Sequence, residues 1–265
     1  MHPAQLGMFE SQRPGWRVST PFRNGQIIYE AKGRAREYRE LACNLYRGCD
    51  HRCVYCYAPG AIHSPREAFG KPEPRPGIIA KLEAECRTYA ESGDQRQVLF
   101  SFTSDPYQRL DIREQLTRQA LQLCRHYNVP FSVLTKGGSR AIRDADLFTP
   151  QDAFASTLTF LDKGNSSEWE PGAAAPEDRI DTLRYFHQRG IPTWVSLEPV
   201  IDPDITMQIV RETHTFVDEY KVGTLNYHER ARQTDWPLFA WQVRDLLESL
   251  GCRYYLKEDL RAYLP

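Results

Sequence analysis

The feature that most constrains the fold of this chain is an alternation between short apolar stretches and longer amphipathic ones. The apolar stretches have the pattern of buried strands, and the apolar residues between them recur at helical spacing. Strands are predicted at residues 41–46, 97–102, 131–135, 153–159, 193–197 and 220–225, with a short seventh at 253–256. Helices are predicted at 77–91, 112–127, after Ser139, and at 178–189, 204–217, 236–250 and the end of the chain.

Strands that alternate with helices of this length predict βαβ units and a parallel sheet. Six such units are too few to close an eight-stranded barrel. We therefore expect an α/β fold, a partial (β/α)6 TIM-like barrel with parallel strands, an N-terminal extension and a short C-terminal strand and helix. The predicted division is an extension at 1–40, a barrel core at 41–230, and C-terminal helices at 231–265 that close the barrel. A tight turn is predicted at 23–26, before the apolar residues 27–29.

The composition is that of an ordinary globular protein, with 41% hydrophobic and 26% charged residues. No apolar run approaches the roughly 20 residues needed to span a bilayer, and the first residues lack the pattern of an export signal. We therefore expect a cytoplasmic protein that does not act at a membrane. The net charge of −1 means that any surface for nucleic acid would have to be a local basic patch.

Three cysteines follow the first predicted strand at the spacing C-x3-C-x2-C, namely Cys49, Cys53 and Cys56. Three thiolates on one short loop can hold three corners of a cubic 4Fe–4S cluster, which leaves the fourth iron open to a small molecule. Structural metal sites normally take four protein ligands. An open position therefore predicts chemistry rather than a structural role.

Two other interpretations of the cysteines remain open at this point. A zinc site would need a fourth ligand, and His51 lies inside the same loop, where it can hardly complete a tetrahedron with all three thiols. In that case the chain would be a non-catalytic metal-binding protein that presents an interaction surface. Disulfides are disfavoured because seven cysteines is an odd number and no export signal is present. The four remaining cysteines are expected to be core residues: Cys43, Cys86, Cys124 and Cys252.

Polar residues follow the predicted strands at the points where the strands end. In parallel α/β folds these ends meet at one edge, which is where reactive groups gather. Together, the polar residues at these strand ends suit a zwitterionic ligand: Lys136 could bind a carboxylate, Asp105 an ammonium group and the threonines a ribose. The set comprises Thr103, Ser104, Asp105, Thr135, Lys136, Thr157, Thr159, Glu198 and residues 225–228.

The sequence CDHRCVYCYA around the cysteines resembles the cluster loop of radical S-adenosylmethionine (AdoMet) enzymes. Three further stretches, FTSDPYQ, LTKGGSRAIRDADL and EWEPGAAAPEDRI, resemble the spore photoproduct lyase-like, or DNA repair photolyase-like, branch of that superfamily. The similarity extends from about Leu41 to Pro203.

The resemblance implies that Cys49, Cys53 and Cys56 ligate a 4Fe–4S cluster whose open iron binds AdoMet. Reductive cleavage of AdoMet would yield a 5′-deoxyadenosyl radical that abstracts hydrogen from a substrate. For this branch the expected substrate is a nucleic acid or nucleotide, and the same chemistry on a peptide or protein is the alternative. The electron would come from a reductant such as flavodoxin or ferredoxin.

The resemblance also implies roles for individual residues. Tyr55 would lie near the adenine, and Tyr55 and Tyr57 match a pair of tyrosines associated with radical relay. The residues expected to contact AdoMet are Thr103, Ser104 and Asp105 at its amine, Lys136 at its carboxylate, Thr157 and Thr159 at its ribose, and Glu198. Glu170 and Arg179 flank a loop that is typical of the branch.

The chain departs from true spore photoproduct lyases at one position. Those enzymes carry a cysteine that returns a hydrogen atom to the product radical, and the expected position is Phe102 here. Cys43 is the candidate substitute donor. Asn226, Tyr227 and Lys257 are candidates to face the substrate, because interleaved aromatic and basic residues suit stacking on a base.

Overall fold

The computed structural model describes residues 26–226 and 228–265. The predicted turn at 23–26 therefore lies outside the described residues except for Gln26, and so does Tyr227. The strands are β1 (Ile28–Glu30), β2 (Leu41–Cys43), β3 (Tyr46–Arg47), β4 (Glu73–Pro74), β5 (Val98–Phe100), β6 (Phe131–Thr135), β7 (Ala153–Thr157), β8 (Thr193–Leu197), β9 (Glu219–Val222) and β10 (Arg253–Leu256). The α-helices are α1 (Ala58–Ala61), α2 (Arg66–Phe69), α3 (Ile78–Ser92), α4 (Arg109–Glu114), α5 (Leu116–His126), α6 (Lys163–Trp169), α7 (Pro176–His187), α8 (Pro203–Thr213), α9 (Trp236–Ser249) and α10 (Glu258–Arg261). Short 3-10 helices span Gly33–Glu37, Gly138–Leu147 and Glu229–Gln233.

The main sheet has the order β1-β2-β5-β6-β7-β8-β9-β10. All neighbours from β2 to β10 are parallel, and β1 is an antiparallel edge strand that places Ile28 opposite Cys43. Within the described part of the chain, β1 and β10 are the two ends of the sheet, so the barrel is partial. The predicted α/β partial barrel is confirmed, including the short seventh parallel strand.

Successive residues of each strand face opposite sides of the sheet, and this alternation divides the core in two. Leu41 and Cys43 belong to the large apolar cluster that also contains buried helix residues. Ala42 lies between them in sequence and belongs to a smaller cluster on the other face, which it shares with Ala155 and Trp194. The small cluster lines the inside of the barrel, beneath the polar residues at the strand ends.

Several local features differ from the sequence-based prediction, and three of them follow. The helix predicted at 112–127 is divided into α4 and α5, because Gln115 has a left-handed backbone with φ of 49°. The segment after Ser139 is a 3-10 helix rather than an α-helix. Helix α6 was not predicted, and it begins where the carboxylate of Asp162 accepts a hydrogen bond from the backbone of Asn165.

No helix among the described residues is both long enough and apolar enough to cross a membrane.

Candidate active site

A cavity of about 410 Å³ lies at the carboxyl ends of the barrel strands. Its volume is within the usual range for small-molecule sites. All three cysteines of the loop line it, together with most of the polar residues that follow the strands. Those that line it are Thr103, Ser104, Asp105, Thr135, Lys136, Thr157, Glu198 and Asn226, and Tyr55 and Tyr57 line it as well.

The three cysteines of the loop are free thiols, with Cys53 buried and the other two partly buried. Burial raises the pKa of all three, to about 12 for Cys53, where the ammonium group of Lys136 acts in the opposite direction. Metal binding would replace the thiol protons. Among the described residues, no group of three or more His, Cys, Asp or Glu side chains converges to hold a single metal ion. A donor set of three thiols at separate positions is chemically suited to a cluster, in which each thiolate ligates a different iron.

The backbone of the cysteine loop is fixed by its neighbours. The Cys49 amide donates to the Phe69 carbonyl at 2.9 Å, and the Gly172 amide donates to the His51 carbonyl at 3.0 Å. Gly48 has φ of +77°, and a Cβ at this position would collide with the Phe69 carbonyl oxygen. These contacts fix the loop backbone against the end of α2 and the segment that follows α6.

Asp105 ties the ends of β5 and β6 together. Its carboxylate accepts hydrogen bonds from the Thr135 hydroxyl at 2.6 Å and from the backbone amides of Lys136 and Tyr107 at 2.7 and 2.8 Å. His51 Nδ1 lies 3.4 Å from the same carboxylate. Burial alone would raise the pKa of Asp105, but His51 and these donors outweigh it and hold the pKa below its usual value. An ammonium group bound here would have to share oxygens that already have partners.

Within the described part of the chain, Ser104 presents an unpaired polar group at this edge. Its Oγ is buried and has no hydrogen-bond partner among the described residues, and the residue lines the cavity. The backbone that presents it is fixed by Asn44, whose side-chain oxygen accepts from the amides of Phe102 and Thr103 at 2.9 Å each. Sequence reasoning missed Asn44, because it lies inside the strand predicted at 41–46, whereas β2 ends at Cys43.

Tyr55 lies at the edge of a buried ionic network. Its hydroxyl donates to Glu170, whose carboxylate pairs with the Arg179 guanidinium at 2.5 Å, and both charged side chains are at most 1% exposed. Burial and the Glu170 carboxylate raise the pKa of Tyr55 well above its usual value. Thr159 also donates to Glu170, at 3.2 Å, and it does not line the cavity, whereas Thr157 does.

Tyr57 and Phe102 lie together on the cavity wall. The Tyr57 side chain is 50% exposed, and its hydroxyl donates to the Phe102 carbonyl at 3.1 Å. Cys43, the candidate hydrogen donor, is fully buried in the large apolar cluster and does not line the cavity. Cys86 and Cys124 are buried in the same cluster, as predicted.

Glu198 lies in a second polar group that lines the cavity. Its carboxylate accepts from the Tyr38 hydroxyl at 2.5 Å and pairs with the ammonium group of Lys257. Lys257 is 1% exposed, and its Nζ is 3.6 Å from the centre of the Tyr38 ring. Tyr38 could not be found from the sequence, because nothing distinguishes one tyrosine in a charged segment before the first barrel strand.

Asn226 lines the cavity next to this group, and its side-chain amide donates to the Asp259 carboxylate at 3.0 Å. Its neighbour in sequence, Tyr227, lies outside the described residues. His228 does not line the cavity but packs 5.0 Å from the Trp169 ring.

Comparison with known proteins identifies similar sequences of unassigned activity. An uncharacterized protein of Methanocaldococcus jannaschii, MJ0683, is 28% identical over 193 residues, which cover 69% of each chain. The uncharacterized protein Rv2578c of Mycobacterium tuberculosis is 27% identical over 178 residues. The match covers 62% of this chain and about half the length of the mycobacterial protein.

Two solved structures share the fold at low sequence identity. Spore photoproduct lyase complexed with dinucleoside spore photoproduct superimposes with a TM-score of 0.68 at 13% identity, covering 89% of this chain and 80% of that one. SuiB of Streptococcus suis bound to S-adenosylmethionine superimposes with a TM-score of 0.61 at 14% identity, covering 84% of this chain and 52% of that one. These similarities establish the partial-barrel fold.

The family described as the radical SAM superfamily matches residues 43–217. The matched region contains the three cysteines and every predicted AdoMet-contacting residue. Membership implies a 4Fe–4S cluster and AdoMet as cofactors. It favours the enzyme over the alternative of a non-catalytic metal-binding protein. The chain belongs to the radical SAM superfamily and is a radical AdoMet enzyme.

Proposed function

We propose that this enzyme abstracts a hydrogen atom from a nucleic acid or a nucleotide. Cys49, Cys53 and Cys56 would hold the cluster, and Ser104, Lys136 and Thr157 would contact AdoMet in the inner part of the cavity. When bound, the cluster and AdoMet supply a 5′-deoxyadenosyl radical that removes hydrogen from the substrate. The protein binds both molecules in one cavity and so fixes the reacting atoms relative to each other.

The observation that carries the proposal is that the cavity extends beyond the region that matches the family. Lys32, Arg34 and Tyr38 line it from before residue 43, and Asn226 and Lys257 line it from after residue 217. Lys32 and Arg34 are exposed cations. Tyr57 and Phe102 also line the cavity, and aromatic rings beside exposed cations form the arrangement that stacks bases and attracts phosphates. This wall is the proposed substrate site.

The proposed substrate wall is held rigidly by contacts between the two ends of the described chain. Lys221 Nζ donates to the carbonyls of Glu37 and Tyr38 at 2.8 and 3.1 Å. The Glu258 amide donates to the Glu37 carboxylate at 2.7 Å, and Arg34 pairs with Asp259 at 3.3 Å. A wall that is ordered before substrate binds costs less free energy to organise on binding.

The likeness in fold to a spore photoproduct lyase bound to a dinucleoside photoproduct supports a substrate of the same chemical class. Phe102 stands where that enzyme type is expected to have its hydrogen-donating cysteine. We therefore propose a nucleic-acid substrate without proposing the lyase reaction. The variant Phe102→Cys tests this distinction, because lyase activity that appears only in the variant would identify a thymine lesion as a competent substrate.

The decisive experiment measures 5′-deoxyadenosine formed anaerobically by enzyme reconstituted with iron and sulfide and supplied with AdoMet and dithionite. Single-stranded DNA, duplex DNA, RNA, nucleotides and peptides are compared, and deuterium-labelled forms of the stimulating class are used to detect deuterium in 5′-deoxyadenosine. We expect a nucleic acid or nucleotide to stimulate the reaction and to transfer the label. Tyr38→Leu should lose the stimulation while it retains the unstimulated rate. Stimulation by peptides alone would refute the proposal.

A further inference from the structure

The cavity residues at the ends of β8, β9 and β10 use their hydrogen-bond donors within the protein. Those that line the cavity are Glu198 after β8, Thr224 and Asn226 after β9, and Lys257 after β10. The Lys257 ammonium group pairs with the Glu198 carboxylate. The Thr224 hydroxyl and the Asn226 side-chain amide donate to the Asp259 carboxylate, at 2.7 and 3.0 Å. These donors are therefore already engaged.

Two oxygen atoms of the same side chains have no partner among the described residues. The Tyr38 hydroxyl and the Lys257 ammonium group both donate to Oε2 of Glu198, which leaves Oε1 without a donor. The Asn226 amide turns its NH2 group to Asp259, and no described residue donates to its Oδ1. Neither oxygen is sealed from solvent. A carboxylate oxygen and an amide oxygen can only accept, so both are open acceptors on residues that line the cavity.

The surroundings of Glu198 fix the orientation of its carboxylate. Oε2 is held by the two donors from Tyr38 and Lys257. A Cβ at position 223 would lie 2.7 Å from Oε1, so Gly223 leaves the space that this oxygen occupies. The open acceptor therefore has a defined position before any ligand binds, which lowers the cost of organising it.

The two open acceptors define what a ligand at this place must offer. An acceptor that is removed from water without receiving a hydrogen bond costs free energy, so a ligand covering both oxygens has to bring N–H or O–H groups. The exocyclic amino group of cytosine, adenine or guanine carries two N–H bonds. Uracil and thymine offer one ring N–H between two carbonyl oxygens, and a carbonyl oxygen would face an acceptor.

Given the proposed nucleic-acid or nucleotide substrate, on which this step rests, we propose that Glu198 and Asn226 select its base and favour one with an exocyclic amino group. The exposed cations Lys32 and Arg34 line the same cavity and suit the phosphate of such a ligand. A base reaches atoms inside a cavity only when it is unpaired or turned out of a duplex. The preferred substrate is therefore single-stranded or is opened on binding.

This assignment moves Glu198 from the residues expected to contact AdoMet to those that contact the substrate. Two of its neighbours in the group, Tyr38 and Lys257, and the second acceptor, Asn226, lie outside residues 43–217, the region that matches the family. AdoMet is common to the family, whereas segments outside the matched region belong to this chain. A site built largely from such segments suits the substrate better than the cofactor.

The test measures binding to labelled single-stranded DNA by fluorescence anisotropy, with reconstituted enzyme and AdoMet under anaerobic conditions and without a reductant. Two matched pairs of homopolymers are compared: deoxycytidine with deoxyuridine, and deoxyadenosine with deoxyinosine. Within each pair the bases differ at one edge, which has an amino group beside a bare ring nitrogen in one and a carbonyl oxygen beside an N–H in the other. We expect the wild type to bind the amino-bearing member about tenfold more tightly.

The variant Glu198→Gln replaces the open acceptor by a donor. The Tyr38 hydroxyl and the Lys257 ammonium group require an oxygen at the position of Oε2, so the new NH2 group has to take the place of Oε1. The preference within each pair should then disappear or reverse. Because this variant leaves the Lys257 charge without its counter-ion, Gly223→Ala provides a second route that keeps the charge and displaces Oε1 by a methyl group.

The variant Asn226→Ala removes the other acceptor. The Asp259 carboxylate keeps the Thr224 hydroxyl and the Arg34 guanidinium as partners, so the local structure retains its pairing. The preference should fall by about threefold or more. Glu91→Gln, an exposed change of the same chemistry on α3, is the matched control and should keep the preference of the wild type.

Equal affinity of the wild type for both members of each pair, or an unchanged preference in Glu198→Gln, Gly223→Ala and Asn226→Ala, would overturn the proposal. AdoMet affinity is measured in the same variants by equilibrium dialysis. Weaker AdoMet binding by Glu198→Gln with the base preference intact would also overturn it, because Glu198 would then belong to the AdoMet site. Equal binding of all four homopolymers refutes only the base preference, whereas no binding of any of them refutes the proposed substrate class as well.

Discussion

The buried ion pair between Glu170 and Arg179 is expected to be a large single contribution to the stability of the active-site wall. Both side chains are at most 1% exposed, and Arg179 also donates to the carbonyls of Ala174 and Thr157 at 2.8 and 3.1 Å. Glu170→Gln keeps the shape of the side chain but leaves the guanidinium charge buried without its counter-ion. Removing one partner of a buried pair costs about 3–5 kcal/mol in the free energy of unfolding. At roughly 2–4 °C per kcal/mol for a chain of this size, the melting temperature should fall by about 6–20 °C.

Urea unfolding of the iron-free protein measures the effect in a double-mutant cycle with Arg179→Met. The double variant should be less destabilised than the sum of the single variants, because neither charge is then left alone. Asp181→Asn is the control, since its pair with Arg184 is 45–60% exposed and should contribute at most about 1 kcal/mol. A loss below about 1 kcal/mol for Glu170→Gln, or additive single effects, would refute the reasoning.

The pair also predicts a pH dependence. Burial alone would raise the pKa of Glu170, but the charges of Arg179 and Lys136, together with hydrogen bonds from Arg179 and Tyr55, outweigh it and hold the pKa below its usual value. A carboxylate with a lowered pKa contributes stability that is present above the unfolded pKa of about 4.3 and is lost as the pH falls through the lower folded value. Glu170→Gln should lack this acid-dependent loss of stability. The free energy of unfolding, measured from about pH 6 down to pH 3, would reveal the difference. If it falls equally steeply with pH in the wild type and the variant, the lowered pKa of Glu170 is contradicted.

Three further predictions concern the cluster loop and the substrate wall. Replacing any one of the three loop cysteines by Ala should remove most of the iron bound after reconstitution, measured by iron analysis, while the melting temperature of the iron-free protein stays within a few degrees. Gly172→Ala should also lower iron retention, because a Cβ there would meet the Asp50 carbonyl and lie 2.6 Å from the His51 Cα, whereas Gly60→Ala has open space around it and should not. Burial lowers the pKa of Lys221 to about 8, so the unfolded chain holds this proton at higher pH than the folded one. Unfolding measurements should therefore show the wild type gaining stability relative to Lys221→Met between about pH 8 and 10, and no relative gain would contradict the burial of that ammonium group.

The sequence alone was sufficient for the features that depend on local pattern. Strand and helix periodicities are repeated along the chain, and parallel strands must all end at the same edge, so the gathering of Ser104, Lys136 and Thr157 at one cavity could be predicted. The three cysteines lie within eight residues of each other, so their spacing already defined one loop. The break in the predicted helix at Gln115 was not predicted. A left-handed backbone has no strong sequence signal when the residue is neither glycine nor asparagine.

The side-chain pairs around the cavity were decided only by the tertiary structure. Tyr38 meets Glu198 across 160 residues of sequence, and Tyr55 meets Glu170 across 115. Such pairs depend on how the sheet curves and how the chain ends pack against it, and no periodic pattern encodes either. The sequence therefore determined which residues form the edge of the barrel, and the packing of distant segments determined which of them face a ligand, because burial and pairing are properties of the folded chain as a whole.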